Sequence, residues 1–257
     1  MEKYALITGA SRGLGAYFAE ELASRQFNLI LVSLPNQNLS NICEELEKKY
    51  TIKAYPYETN LSIKKNILQL TDWINQTFSI SVLINNAGTG GSKRFEEASI
   101  PYLDNMIQLN VTAPTLLTHQ LLQNLQKQEA AYILNISSLA AFSPIGYKTV
   151  YPASKVFIHS FSRGLNQELK DTNIWVSVVN PGPMKTNGEI SNRINKQGFF
   201  GRVTCLDPKK VATYCIEQLF KKKKVIKVNF ISWLVLKITP TALKISILTK
   251  KMKNEIE

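Results

Sequence analysis

A chain of 257 residues, 44% hydrophobic and 19% charged, has the material for one sizeable core. Three scattered cysteines (Cys43, Cys205, Cys215) and two unpartnered histidines (His119, His159) argue against a disulfide framework or a metal site, and for a reducing, cytoplasmic compartment. The net charge of +12 is uneven: from Gln218 to Glu257 ten lysines stand against two glutamates, a balance of +8 that reads as a solvated face.

The N-terminal MEKYALITGA enters an apolar run at once, without the pattern of a signal peptide. YALITG (4–9) reads as a buried strand, followed by a helix near 13–25, a strand NLILVS (28–33) and a helix near 38–49. One strand is expected within 52–62, then a helix at 62–77 and the strand SVLINNAG (81–88). A long helix (99–127), AAYILNISS (130–138), a helix at 151–170 and IWVSVVNPG (174–182) follow. The polar segment 186–205 has the length and composition of a lid; a helix at 208–220 and a strand within 224–230 complete the alternation. Continuous apolar strands alternating with helices predict an α/β fold, a doubly wound parallel sheet of about seven strands with helices on both faces, the single-domain Rossmann architecture. Ligands of such sheets sit beyond the C-terminal strand ends.

The last residues, 231–257, form a basic–apolar extension in which Lys237, Pro240 and Lys244 break the apolar run well short of the roughly 18 residues of a membrane span. Thr239–Pro240 reads as a helix start, with Leu243, Ile247 and Leu248 on one face packing on the domain or on a partner subunit. Contact with a membrane surface is the lesser reading of this tail, and no aromatic series accompanies its lysines to suggest nucleic acid.

The first strand runs into TGASRGLG, Thr8 to Gly15. Glycines there let backbone N–H groups approach a phosphate, and the helix that follows presents its positive end. The spacing G-x-x-x-G-x-G departs from the common G-x-G-x-x-G. An acidic residue near the end of the second strand would bind the ribose 2′-hydroxyl of NAD; VSLPNQ, Val32 to Gln37, has none. With Arg12 in the turn and Ser33 at the strand end, this favours NADP(H) over NAD(H).

Taken in order, these motifs resemble the short-chain dehydrogenase/reductase family from about Lys3 to Thr186. Gly9, Ser11, Arg12, Gly13, Leu14 and Gly15 match its cofactor turn; Asn60 and Leu61 in TNLS match its adenine contact, with asparagine in place of the usual aspartate. Asn86, Ala87 and Gly88 in NNAG match the segment closing the fourth strand, and Pro181, Gly182 and Thr186 in NPGPMKT match the stretch around the nicotinamide. Asn110 in LNVTAP, Ser138 in NISS, Tyr151 and Lys155 match the catalytic asparagine, serine, tyrosine and lysine.

The resemblance implies an oxidoreductase that moves hydride between a nicotinamide and a carbonyl or secondary alcohol, with Tyr151 as general acid or base. A phenol has a pKa of about 10, so a cation one helical turn away, Lys155, is expected to draw it down. Lys155 would also bind the nicotinamide ribose, Ser138 would donate to the substrate oxygen, and Asn110 would hold a water leading to Lys155. Ser137 is the alternative serine, but thirteen residues separate Ser138 from Tyr151, the spacing that the family keeps. Loop aromatics Phe95, Phe142, Tyr147, Phe199 and Phe200 point either to an apolar small-molecule substrate or to simple packing. A homodimer through helices 99–127 and 151–170 is expected. A catalytically silent dinucleotide sensor is the alternative on the same fold.

Overall fold

Five consecutive apolar or small residues, YALIT, are buried from end to end in the first strand, β1 (Tyr4–Thr8). The computed structural model describes residues 2–184 and 206–256. Alternate side chains of this strand leave by opposite faces: Ala5 and Ile7 join one apolar cluster, Tyr4 and Leu6 the other. The same division holds in β2 (Asn28–Ser33), where Leu29 and Leu31 oppose Ile30 and Val32. A strand buried on both faces belongs in the middle of a three-layer stack, and these two lie there.

The sheet also contains β3 (Ala54–Glu58), β4 (Ile80–Asn85), β5 (Ala131–Ile136), β6 (Ile174–Val179) and the short β7 (Val225–Ile226). The strand order is β3-β2-β1-β4-β5-β6-β7 and every pairing is parallel. On one face, α1 (Gly13–Ser24) contributes Phe18 and Leu22, and α7 (Pro208–Phe220) contributes Val211 and Ile216. α2 (Leu39–Tyr50) adds Leu39 and Leu46 to this layer. On the other, α3 (Lys64–Thr77) and α5 (Ala113–Gln126) bring Ile67, Leu70, Leu117 and Leu121. Strand order reverses between β1 and β4, so the crevice beyond their carboxyl ends is where this architecture binds ligands. The doubly wound reading of the sequence is what the chain adopts.

Three expectations need correction. The apolar runs overshoot their strands: the predicted 81–88, 130–138 and 174–182 end at Asn85, Ile136 and Val179, because the residues beyond leave the sheet for the crevice. The single helix over 99–127 is two helices, α4 (Ile100–Ile107) and α5, joined by a wide π turn at Gln108–Thr112. Pro114 has no N–H to give the carbonyl of Asn110 four residues back, which breaks the α-helical ladder there.

The third correction concerns the C-terminus, which forms two helices, α8 (Phe230–Ile238) and α9 (Thr241–Ile256). Of the face of α9 expected to pack on the domain or on a partner subunit, Leu248 is half-buried, Leu243 and Ile247 are 51% and 57% exposed on the chain itself, and Lys244 between them is buried. The lysine is inside because its ammonium donates to the carbonyls of Phe142 (2.9 Å) and Leu236 (2.8 Å).

Candidate active site

The chain turns at Gly9 as β1 ends. Its φ of +66°, and +60° at Gly13, lie in the left-handed region that suits glycine. Gly15 answers to a different constraint, since a Cβ there would collide with the Gly9 carbonyl. α1 follows Arg12, whose backbone is extended and whose side chain makes no capping bond, and no acidic residue stands in its first turn. Arg12 is exposed at this end, while Ser11 and Gly13 are half-buried. Leu14 packs into the core, leaving only its backbone to face a ligand.

The Thr8 hydroxyl ties this turn to β4. It donates to Ile84 O (3.3 Å) and accepts from the amides of Asn86 and Ala87 (3.0 Å each). The Asn86 carboxamide returns the contact, donating to the carbonyls of Thr8 (2.9 Å) and Gly9 (3.1 Å). Asn86 therefore holds the shape of the cofactor turn.

At the end of β2, Ser33 is buried and its hydroxyl donates to Leu34 O. Parallel register sets Ser33 beside Glu58 of β3, and the Glu58 carboxylate accepts from the Asn36 amide at 3.3 Å. The stretch Val32–Gln37 lacks a carboxylate in sequence, but the sheet supplies one from the neighbouring strand. Asn60 accepts from the amide (2.9 Å) and hydroxyl (2.8 Å) of Ser62, and Leu61 lies in the core.

On the other side of the crevice stands α6 (Val150–Glu168). Its first turn carries Tyr151 and its second Lys155, so the two leave by one face, with the ammonium 5.8 Å from the phenol ring centre. Lys155 is buried and donates to Ile136 O at 3.0 Å. Ser138 begins a short 3-10 turn (Leu139–Phe142), accepts from the Ala140 amide and stands beside the Tyr151 phenol. Ser137 points elsewhere, donating to the Lys155 carbonyl at 2.8 Å.

Gly90 lies against the Tyr151 ring, and Gly88 sits between Asn110 and Lys155, where a Cβ would come within 3.0 Å of the one and 3.3 Å of the other. Asn110 is buried and bonded to the backbone of Thr89 on both sides (2.8 Å each) and to Ser154 (3.0 Å). These partners lie outside its own helix.

The charge balance differs from the expectation. Burial raises the Tyr151 phenol above its ordinary pKa, and the nearby Ser138 hydroxyl is what opposes that rise; lowering by Lys155 is not the effect found. Burial also draws the Lys155 ammonium down to about 8. Spacing along a helix showed the two groups together but not how little water they share, and desolvation outweighs their mutual influence.

Lys148 and Ser154 were not singled out from sequence. Lys148 lies with its ammonium 5.0 Å from the Tyr151 ring centre, and Tyr147 beside it has a φ of +60°. Ser154, one turn after Tyr151, was legible by its spacing alone. His159 shares a hydrogen bond with Asn180 (3.1 Å) under the Pro181–Gly182 turn and packs edge-on against Phe142. Phe142 also meets Trp233 of α8, so this aromatic packs between elements. Phe95 is exposed, and a small cavity of about 20 Å³ bordered by Tyr102, Tyr147, Lys148 and Tyr151 opens beside the phenol. Thr186, Phe199, Phe200 and the whole 186–205 segment lie outside the described residues.

A dinucleotide fits this crevice on the structure's own terms. The glycine turn and the uncapped start of α1 present N–H groups to an anion, and the buried Asn180 Nδ2 has no partner among the described residues. Gly88 and Lys155 would face its nicotinamide end.

Comparison with known proteins agrees. Residues 3–197 match the short chain dehydrogenase family model. The chain is 31% identical over 207 residues to the 3-oxoacyl-[acyl-carrier-protein] reductase FabG of Aquifex aeolicus, covering 78% of this chain and 84% of that one. It is 31% identical over 233 residues to the ketoacyl reductase HetN of a Nostoc species, covering 88% and 78%. Among solved structures, a short-chain dehydrogenase from Sphingobium yanoikuyae in complex with NADPH superposes with a TM-score of 0.80 at 26% identity, covering 90% of this chain and 89% of that one. The chain belongs to the short-chain dehydrogenase/reductase family. It is an NAD(P)-dependent oxidoreductase that moves hydride between a nicotinamide and a carbonyl or alcohol carbon.

Proposed function

We propose that this protein is an NADPH-dependent reductase of apolar ketones of the 3-oxoacyl class. The observation that carries the reading is the Ser138–Tyr151–Lys155 group at the mouth of the crevice. The names of the Aquifex and Nostoc relatives, both ketoacyl reductases, supply the substrate class.

The nicotinamide supplies hydride when bound. Tyr151 gives its proton to the carbonyl oxygen as negative charge grows there, and Ser138 donates a hydrogen bond to the same oxygen. Lys155 stabilises the phenolate left behind. Its charge is expensive in this dry setting, and the Ile136 carbonyl offsets part of that cost. Asn110 and Ser154 hold the Thr89 loop and the base of α6 in place around it.

The NADPH preference rests on Arg12, Ser33 and the NADPH held by the Sphingobium relative. Glu58 is the group that works against it, because a carboxylate repels a 2′-phosphate. A dimer through α4, α5 and α6 is supported by Ile107, Val156 and Phe157, all exposed on that side.

The decisive measurement is NADPH oxidation with a 3-oxoacyl thioester, comparing wild type with Tyr151→Phe. Loss of about 10²–10⁴-fold in kcat with unchanged NADPH affinity is expected. Equal turnover in the two proteins rejects the assignment.

A further inference from the structure

We propose that the C-terminal helix pair, α8 and α9, seats this protein on an anionic lipid surface. α8 carries Ile231, Leu234, Val235 and Ile238 in one helical stripe, and their exposures are 74%, 39%, 51% and 70%. Leu243 and Ile247 continue the apolar exposure one turn apart on α9. The domain grips the pair elsewhere. Trp233 meets Phe142, Lys244 bonds the carbonyls of Phe142 and Leu236, Thr249 Oγ1 accepts from the Gly146 amide (2.9 Å), and Ser92 donates to Met252 Sδ (3.6 Å). The helices are thus fixed to the domain while their aliphatic stripes are left to solvent. Apolar surface of this kind marks an interaction site.

Charge identifies the occupant. The segment from Gln218 carries ten lysines against two glutamates. Lys227, just before α8, and Lys237 on it lie 3.8 and 5.1 Å from the Trp233 ring centre, placing two cations beside this helix. A second copy docking through the same helix pair would bring two lysine-rich segments together, since a two-fold contact is self-facing. Anionic headgroups match both the lysines and the stripe.

The geometry is that of a helix pair lying on the surface. Among the described residues no single helix is long and apolar enough to cross a membrane, and the two taken together bend by 117° at their junction. α8, with nine residues, is about 14 Å long against a hydrocarbon core of about 30 Å.

The test is sedimentation of the full chain with phosphatidylcholine vesicles, with and without about a third phosphatidylglycerol. Wild type should pellet with the anionic vesicles only, less so as salt rises. The Ile231→Glu/Ile238→Glu variant, folded by circular dichroism and normal in NADPH binding, should bind about tenfold more weakly. The proposal is overturned by absence of pelleting, by equal pelleting with pure phosphatidylcholine, or by unchanged binding of the variant. It is equally overturned if the variant instead abolishes a dimer seen by sedimentation velocity. NADPH oxidation in the absence of lipid should be the same in wild type and variant, which separates this outcome from the catalytic reading.

Discussion

Two lysines show how differently the two ends of this molecule are built. Lys155 and Lys244 are both buried, and both spend their ammonium on backbone carbonyls. Lys155 sits at the crevice of a sheet sandwiched between two apolar layers, with Asn110, Ser154 and Ser137 hydrogen-bonded around it. Lys244 sits under a helix whose aliphatic side chains point outward, and the grip on that helix is largely polar. The catalytic end is therefore preorganised by the core, and the C-terminal end is clipped on by a few directional bonds that leave its apolar surface available.

The sharpest way to break that contrast lies in the core. Leu6→Ala, in the middle of β1, should cost about 2–5 kcal/mol in urea unfolding, whereas Ile238→Ala on α8 should stay within about 0.5 kcal/mol of wild type. Similar losses at both positions would show that α8 is packed as tightly as the sheet.

Lys155 itself tests the dryness of the crevice. Its pKa is drawn down to about 8 by burial, against an ordinary value of 10.5. Below pH 8 both folded and unfolded states carry the charge and the fold bears the full cost. Between about 8 and 10.5 the unfolded state holds the proton more tightly, so stability rises with pH through that window. Relative to Lys155→Met, wild type should gain up to about 3 kcal/mol across it. A gap that does not vary with pH would mean the ammonium is well solvated.

At the other end, Lys244→Met leaves two carbonyls unbonded and should cost about 1–3 kcal/mol, read most directly as faster hydrogen exchange at the Gly146 amide. Unchanged exchange there would show that Lys244 does not clamp α9. The smallest effect is expected at the cofactor end. Glu58→Gln removes the carboxylate beside β2 and should raise the NADPH-over-NADH ratio of kcat/KM several-fold, about 1 kcal/mol. No change would place Glu58 away from the 2′ position.

Much of the site was legible because its members are local. Thr8 to Gly15 is one turn, and Tyr151 and Lys155 are one helical step apart. What escaped was non-local. Glu58 reaches the end of β2 through strand register, the Thr8 hydroxyl meets Asn86 across 78 residues, and Phe142 packs against Trp233 from a helix about ninety residues on.

By itself the sequence determined the alternation of strands and helices, the strand-end location of the chemistry and the residues able to carry it, since periodicity and short-range spacing act within one element. Tertiary structure alone decided which charges are dry and which apolar faces are covered. Those depend on how much water remains between elements far apart in the chain, and that set the direction of the Tyr151 and Lys155 shifts and turned Lys244 inward while Leu243 and Ile247 faced out.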